Sequence, residues 1–185
     1  MHIISFLHFK DLADRLAALI ALVLLWPLLV VVGFFVRLRF NYSVLFQQKR
    51  PGYRGRPFWL LKFRTMTNGC DASGALLPDS QRLTPFGSWL RSTSIDELPA
   101  LVTIPRGEMS FIGPRPLLMK YLPLYSPEQG RRHDVKPGFS GFAQINCLNA
   151  ISWEEKFRLH VWYVDHQSFW LECRCLWRWM VPQRI

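Results

Sequence analysis

The chain is poor in cysteine and in acid. Its four cysteines, Cys70, Cys147, Cys173 and Cys175, form no C-x-x-C pair and no zinc-ligand spacing. That argues against a metal or disulfide framework and for thiols held reduced, in or facing the cytosol. No internal repeat or low-complexity tract is present. Acidic residues number 13 against 23 Lys and Arg, a formal net charge of +10, and arginine outnumbers lysine 17 to 6. A basic surface suits nucleic acid, anionic lipid or phosphorylated substrates, and charge alone does not choose among them. No recognised nucleic-acid motif is found. Half the residues are apolar, with eight Trp and fourteen Phe, a heavy load for a soluble nucleic-acid binder. A length of 185 residues fits one domain with an appendage.

Leu16 to Val36 carries no charge over 21 residues, long enough to cross a hydrocarbon core. It is too long for a secretory signal, and no small-residue cleavage pattern follows. Pro27 falls in the middle and is expected to kink the helix. Cations flank both ends: Lys10 and Arg15 before, Arg37 and Arg39 after. Two paths fit. One is a helix–break–helix hairpin with both ends on the cytoplasmic face, and the other is a single kinked span.

Beyond the anchor, Val44–Gln48 and Phe58–Phe63 bracket a cation-rich Pro-Gly turn and read as a β-hairpin. Asn68 to Ser80 reads as loop. Thr84-Pro85, Ser126-Pro127 and Ser152-x-x-Glu155 are helix starts. Phe169 to Val181 mixes Trp with Arg174 and Arg178, a pattern suited to a helix at lipid headgroup level; a core helix with two exposed arginines is the alternative. His133 beside Asp134 is not read as a catalytic pair, because sequence neighbours rarely face each other.

The chemically dense stretch is Arg91-Ser-Thr-Ser-Ile-Asp96-Glu97-Leu-Pro99, followed by Gly113-Pro-Arg115-Pro116. A carboxylate can attack phosphorus or hold a divalent cation, and guanidiniums bind phosphate oxygens bidentately. Ser94-x-x-Glu97 is also a capping box. Pro99 favours Asp96 over Ser94 as the N-cap, which sets both carboxylates at a positive helix end. Arg115 between two prolines is presented with little freedom left to lose, as a fixed anion contact or as part of a stiff turn.

Five motifs occur in order: Lys49-Arg-Pro-Gly, Lys62-Phe-Arg64-Thr-Met, Leu90-Arg-Ser-x-Ser-x-Asp-Glu-Leu-Pro, Gly107-Glu-Met-Ser-Phe-Ile-Gly-Pro-Arg-Pro and Lys136-Pro-Gly-x-Ser-Gly-x-Ala-Gln. Together they resemble the bacterial sugar transferases, the monotopic polyprenyl-phosphate phosphoglycosyl transferases, from the anchor to about Tyr163. The size and Asn149 to Phe157 look like the subfamily that handles N,N′-diacetylbacillosamine.

The resemblance implies an α+β, mostly helical fold with a re-entrant anchor (1–40), broken at Pro27. A catalytic domain (41–185) with interfacial helices and a small β-hairpin would follow, on the cytoplasmic face of a bacterial inner membrane. It implies Mg²⁺, a UDP-sugar, undecaprenyl phosphate and membrane lipid as partners, and no nucleic acid. Asp96 matches the nucleophile and a metal ligand. Glu97 matches its partner, as base or metal aid. Lys62, Arg64, Arg91 and Arg115 match cations near the phosphates. Trp26 before Pro27, Thr103-Ile-Pro105 and Cys147-Leu148 (a common Gly-Arg elsewhere) depart from the family pattern. A catalytically inactive membrane scaffold of the same fold is the rival reading.

Overall fold

The computed structural model describes residues 2–40, 43–147 and 151–180. Leu148, Asn149, Ala150 and Val181 lie outside them, and with them the second residue of the replaced Gly-Arg pair, the start of the subfamily segment and the end of the Phe169 to Val181 stretch. In chain order the elements are helix α1 (His2–Phe40), strands β1 (Leu45–Pro51) and β2 (Pro57–Phe63), and helices α2 (Asp79–Arg82) and α3 (Pro85–Ser92). A 3-10 helix (Ile95–Thr103) precedes strand β3 (Ser110–Gly113). A second 3-10 helix (Met119–Leu124) and α4 (Pro127–Gly130) lead to β4 (Gly138–Gly141), α5 (Phe142–Cys147), α6 (Trp153–Asp165) and α7 (Phe169–Met180).

The expected hairpin is present as β1 and β2, paired in one two-stranded sheet. Its turn is tightened by Arg54 (φ 53°) and Gly55 (φ 71°). The expected helix starts also appear. Thr84 Oγ1 accepts from the Gly87 N–H at 3.0 Å, Ser126 and Gln129 close a full capping box, and Ser152 Oγ accepts from the Glu155 N–H.

Helix α1 runs from His2 to Phe40 with Pro27 inside it, where proline removes one N–H from the helical ladder. One local expectation is corrected. Asp96 does not cap an α-helix. It stands in the first turn of the 3-10 helix, behind Ser94 in the left-handed region at φ 56°. There the Glu97 N–H reaches the Ser94 carbonyl at 3.2 Å, and tighter i→i+3 bonding accommodates Pro99.

The residues gather into two compact units that do not follow chain order. One holds residues 1–19, 49–59 and 102–185, the other residues 20–48 and 60–101. In the second unit, Val32, Val36 and Phe40, with Leu29 beside them, form a helical stripe on α1 that packs on Phe63, Leu90, Phe86 and Ile95. Burial of one stripe leaves Trp26, Val30, Val31, Phe34, Phe35 and Leu38 exposed. Helix α1 is long and apolar enough to cross a membrane from Phe6 to Phe40, with a mean hydropathy of 2.9 in its most apolar window.

In the first unit β3 and β4 pair in parallel, with Ser110 opposite Gly138 and Ile112 opposite Ser140. The crossing is close: a Cβ on Gly138 would stand 2.1 Å from the Gly113 nitrogen, so only glycine fits there. Ile112, Phe142, Ile145, Tyr163 and Cys175 form the core between this pair and α5–α7. A buried charged knot ties in the start of α1. Lys10 Nζ lies 2.9 Å from Asp14, 3.1 Å from Glu172 and 2.6 Å from Ser110 Oγ. The Tyr163 hydroxyl meets Glu172 and the Ile112 carbonyl.

Candidate active site

The Asp-Glu pair lies in the second unit, where three elements converge. Strand β2 carries Lys62 one residue before its end, α3 delivers Arg91 from its last turn, and the 3-10 helix presents Asp96 and Glu97. Lys62 Nζ donates to Glu97 Oε1 at 2.6 Å, and Arg91 Nε donates to Thr65 Oγ1 at 3.0 Å. Asp96 is only 6% exposed. Burial raises its pKa above the usual carboxylate value; Lys62 and Arg91 pull it back, and Glu97 pushes it further up. A carboxylate withdrawn from water yet facing two cations is a stronger nucleophile than one on the surface, because less hydration must be stripped from it.

Arg64 is placed differently from Lys62. Its Nε and Nη2 bond the Ser43 carbonyl and Oγ at 2.9 and 2.8 Å, and its Nη1 bonds Asn68 Oδ1 at 2.9 Å. These bonds hold the start of β1 and the following loop. Arg115 belongs to the first unit, where its Nη1 donates to Gln144 Oε1 at 3.0 Å. Pro27 lies within α1. The expected site residues therefore divide: Lys62, Arg91, Asp96 and Glu97 come together, Arg64 holds a loop, and Arg115 has its own setting.

Two partners were not singled out from sequence, Thr65 for Arg91 and Gln144 for Arg115. Both sit inside quoted motifs, so the signal was present without a role attached. His133 Nδ1 faces the Gly52 carbonyl at 3.2 Å while Asp134 is exposed, consistent with no His-Asp pair.

Among the described residues no group of three or more His, Cys, Asp or Glu side chains could hold a metal ion. The adjacent carboxylates of Asp96 and Glu97 supply two hard-oxygen sources. That suits a cation such as Mg²⁺, which keeps waters and takes further oxygens from substrate phosphates.

The profile of the bacterial sugar transferase family matches residues 5–182. The uncharacterized sugar transferase EpsL of Bacillus subtilis (strain 168) is 53% identical over 167 residues, covering 90% of this chain and 83% of that protein. The UDP-glucose:undecaprenyl-phosphate glucose-1-phosphate transferase of Xanthomonas campestris pv. campestris is 35% identical, over 90% of this chain and 37% of its own length. The UDP-N-acetylgalactosamine-undecaprenyl-phosphate N-acetylgalactosaminephosphotransferase of Aeromonas hydrophila is 34% identical, over 86% of this chain and 40% of its own length. The chain thus spans well under half of these two longer relatives. It belongs to the bacterial sugar transferase family and is a phosphoglycosyl transferase by class.

Proposed function

We propose that this protein transfers a sugar 1-phosphate from a UDP-sugar to undecaprenyl phosphate, with Asp96 as covalent nucleophile. The carrying observation is the buried Asp96 carboxylate beside Lys62, Arg91 and a Lys62–Glu97 ion pair at 2.6 Å. An Asp96 Oδ attacks the β-phosphorus, forming an O–P bond as the bond to the bridging oxygen breaks, and UMP leaves with that electron pair. A phosphate oxygen of the lipid then attacks the same phosphorus. The Asp96–phosphorus bond breaks, the carboxylate returns, and lipid diphosphate-sugar departs. Two steps let one site serve a water-soluble donor and a membrane acceptor in turn.

Lys62 holds Glu97 in place, and Arg91 and Arg115 bind phosphate oxygens. Glu97 accepts the acceptor's proton or helps hold a cation. Mg²⁺, held by Asp96 and substrate phosphates, would offset charge at the transferring group. The sugar assigned is an N-acetylated amino sugar of the diacetylbacillosamine kind, on the strength of the Asn149 to Phe157 segment. Glucose and N-acetylgalactosamine, named for the two relatives above, are the competing donors.

The working location is the cytoplasmic face of a bacterial inner membrane, with α1 entering and leaving one leaflet. The bonds from Lys10 to Ser110 and Glu172 support that path, because they keep the start of α1 beside polar elements of the body. The exposed Phe169, Trp170 and Trp177 of α7 suit headgroup level.

The test uses the full chain in detergent with a panel of UDP-sugars and no lipid. One donor should release about one UMP per active site and add one phosphosugar to the intact mass. Asp96→Asn should lose both while folding normally. An Asp96→Asn enzyme with wild-type turnover ends the covalent mechanism. Absence of UMP release with every donor, with and without undecaprenyl phosphate, leaves the scaffold reading.

A further inference from the structure

The segment carrying Arg115 is held at three successive main-chain carbonyls. The Pro114 carbonyl accepts from the Gly138 N–H at 3.2 Å. The Arg115 carbonyl accepts from Arg132 Nη2, and the Pro116 carbonyl accepts from Arg50 Nη1 at 3.2 Å. The two prolines fix φ on either side of Arg115, and the carbonyl contacts fix the peptide planes that proline leaves free. At its far end the Arg115 guanidinium meets Gln144 Oε1.

Arg132 is the unusual member. It is 2% exposed, and among the described residues no carboxylate pairs with it. Its guanidinium carbon stands 5.7 Å from the Tyr125 ring centre and 5.5 Å from that of Phe157. Its Nε and Nη1 are buried with no hydrogen-bond partner. Burial lowers its pKa to about 10, so it is still a cation at neutral pH. A buried cation without a counter-charge is costly, and an apolar side chain of similar volume would fill the same space more cheaply. Apart from its cation–π contacts with these two rings, what the guanidinium does there that methionine cannot is donate to the Arg115 carbonyl.

We propose that Arg132 is a positioning residue, holding the main chain at Arg115 so that the Arg115 guanidinium meets a substrate phosphate at a fixed place. This rests on the assignment of Arg115 to phosphate binding made above. Arg132 does not touch substrate and acts only through Arg115.

The experiment is a cycle in the full chain, with kcat/KM for the UDP-sugar measured at each corner. Arg132→Met keeps the packing between Tyr125 and Phe157 and removes the donor. It should keep the wild-type Tm to within a few degrees and lose about 10-fold or more in kcat/KM, the scale of a small misplacement of a substrate-binding group. In an Arg115→Ala background, Arg132→Met should cost nothing further. An equal loss in both backgrounds, or none in the first, overturns the proposal. Arg115→Ala with wild-type turnover would overturn it through its premise, and shows that failure separately because Arg132 is intact there. Should Arg132→Met not fold, Arg132→Lys keeps the buried charge but changes the donor's reach and geometry at the Arg115 carbonyl, and gives the same cycle, read the same way.

Discussion

At the residue scale, burial sets opposite pH behaviour in two groups. His160 is 6% exposed and its pKa is lowered to about 3, by burial first and then by Arg132, His133 and Lys156. A histidine whose folded pKa is depressed contributes stability that is present above its unfolded value of 6.5 and lost as pH falls toward 3. The Tm should therefore fall as pH is lowered through that window. His160→Gln, which cannot be protonated there, should flatten the slope in thermal melts from pH 7 to pH 4; an unchanged slope would assign the acid sensitivity to other groups. Asp96 runs the other way. Its raised pKa means the stability it contributes is fully present below the ordinary 3.8 and lost as pH rises through the folded value. The ionised carboxylate is thus a cost at neutral pH, tolerated for chemistry. Asp96→Asn should match or exceed the wild-type Tm at pH 7 while losing the UMP burst, which separates a dead nucleophile from a damaged fold.

At the element scale, α3 is set against the backbone of Thr65, just beyond β2, by an unusually close approach. A Cβ on Gly87 would stand 1.9 Å from the Thr65 carbonyl oxygen and 2.7 Å from its carbon, both backbone atoms. The same Thr65 holds Arg91 through its hydroxyl. Gly87→Ala must push α3 off the Thr65 backbone, at about 1–3 kcal/mol of overpacking, and carry Arg91 away from the Asp96 environment. Thermal melts and UMP release should both show it, with lower Tm and lower activity together. Gly130→Ala is the matched control, since nothing lies within 4 Å of its added Cβ; it should leave both unchanged. A Gly87→Ala enzyme like wild type would mean that this approach is not required for the site.

At the scale of the whole molecule, the question is which side of the membrane each end of α1 faces. Cations flank both ends of the apolar run, and the Lys10 bonds to Ser110 and Glu172 hold the first turns beside the body. In a cysteine-free background, Ser5→Cys and Ser43→Cys should both resist a membrane-impermeant maleimide on intact cells and react after permeabilisation. Labelling of position 5 from outside would establish a single span instead.

Much of this protein was legible in the sequence because local rules decide it. Thr84-Pro85 and Ser126-Pro127 start helices through their own side chains, the Pro-Gly turn forms the hairpin, and a charge-free run of 21 residues must avoid water. Ordered motifs identified the family and the residues that match its reactive dyad. Other features depend on residues distant in sequence. The parallel pairing of Ser110–Gly113 with Gly138–Gly141 joins segments that carry no strand signal alone. The change from an α-helical cap to a 3-10 turn at Asp96 follows from Pro99 and its packing. Arg131-Arg132-His133 is a basic stretch in the sequence, yet Arg132 is buried against the carbonyl of Arg115. Composition determines that a cation is present there. Only the tertiary structure decides whether it meets water, a ring face or a main-chain oxygen, because burial is set by what packs over it.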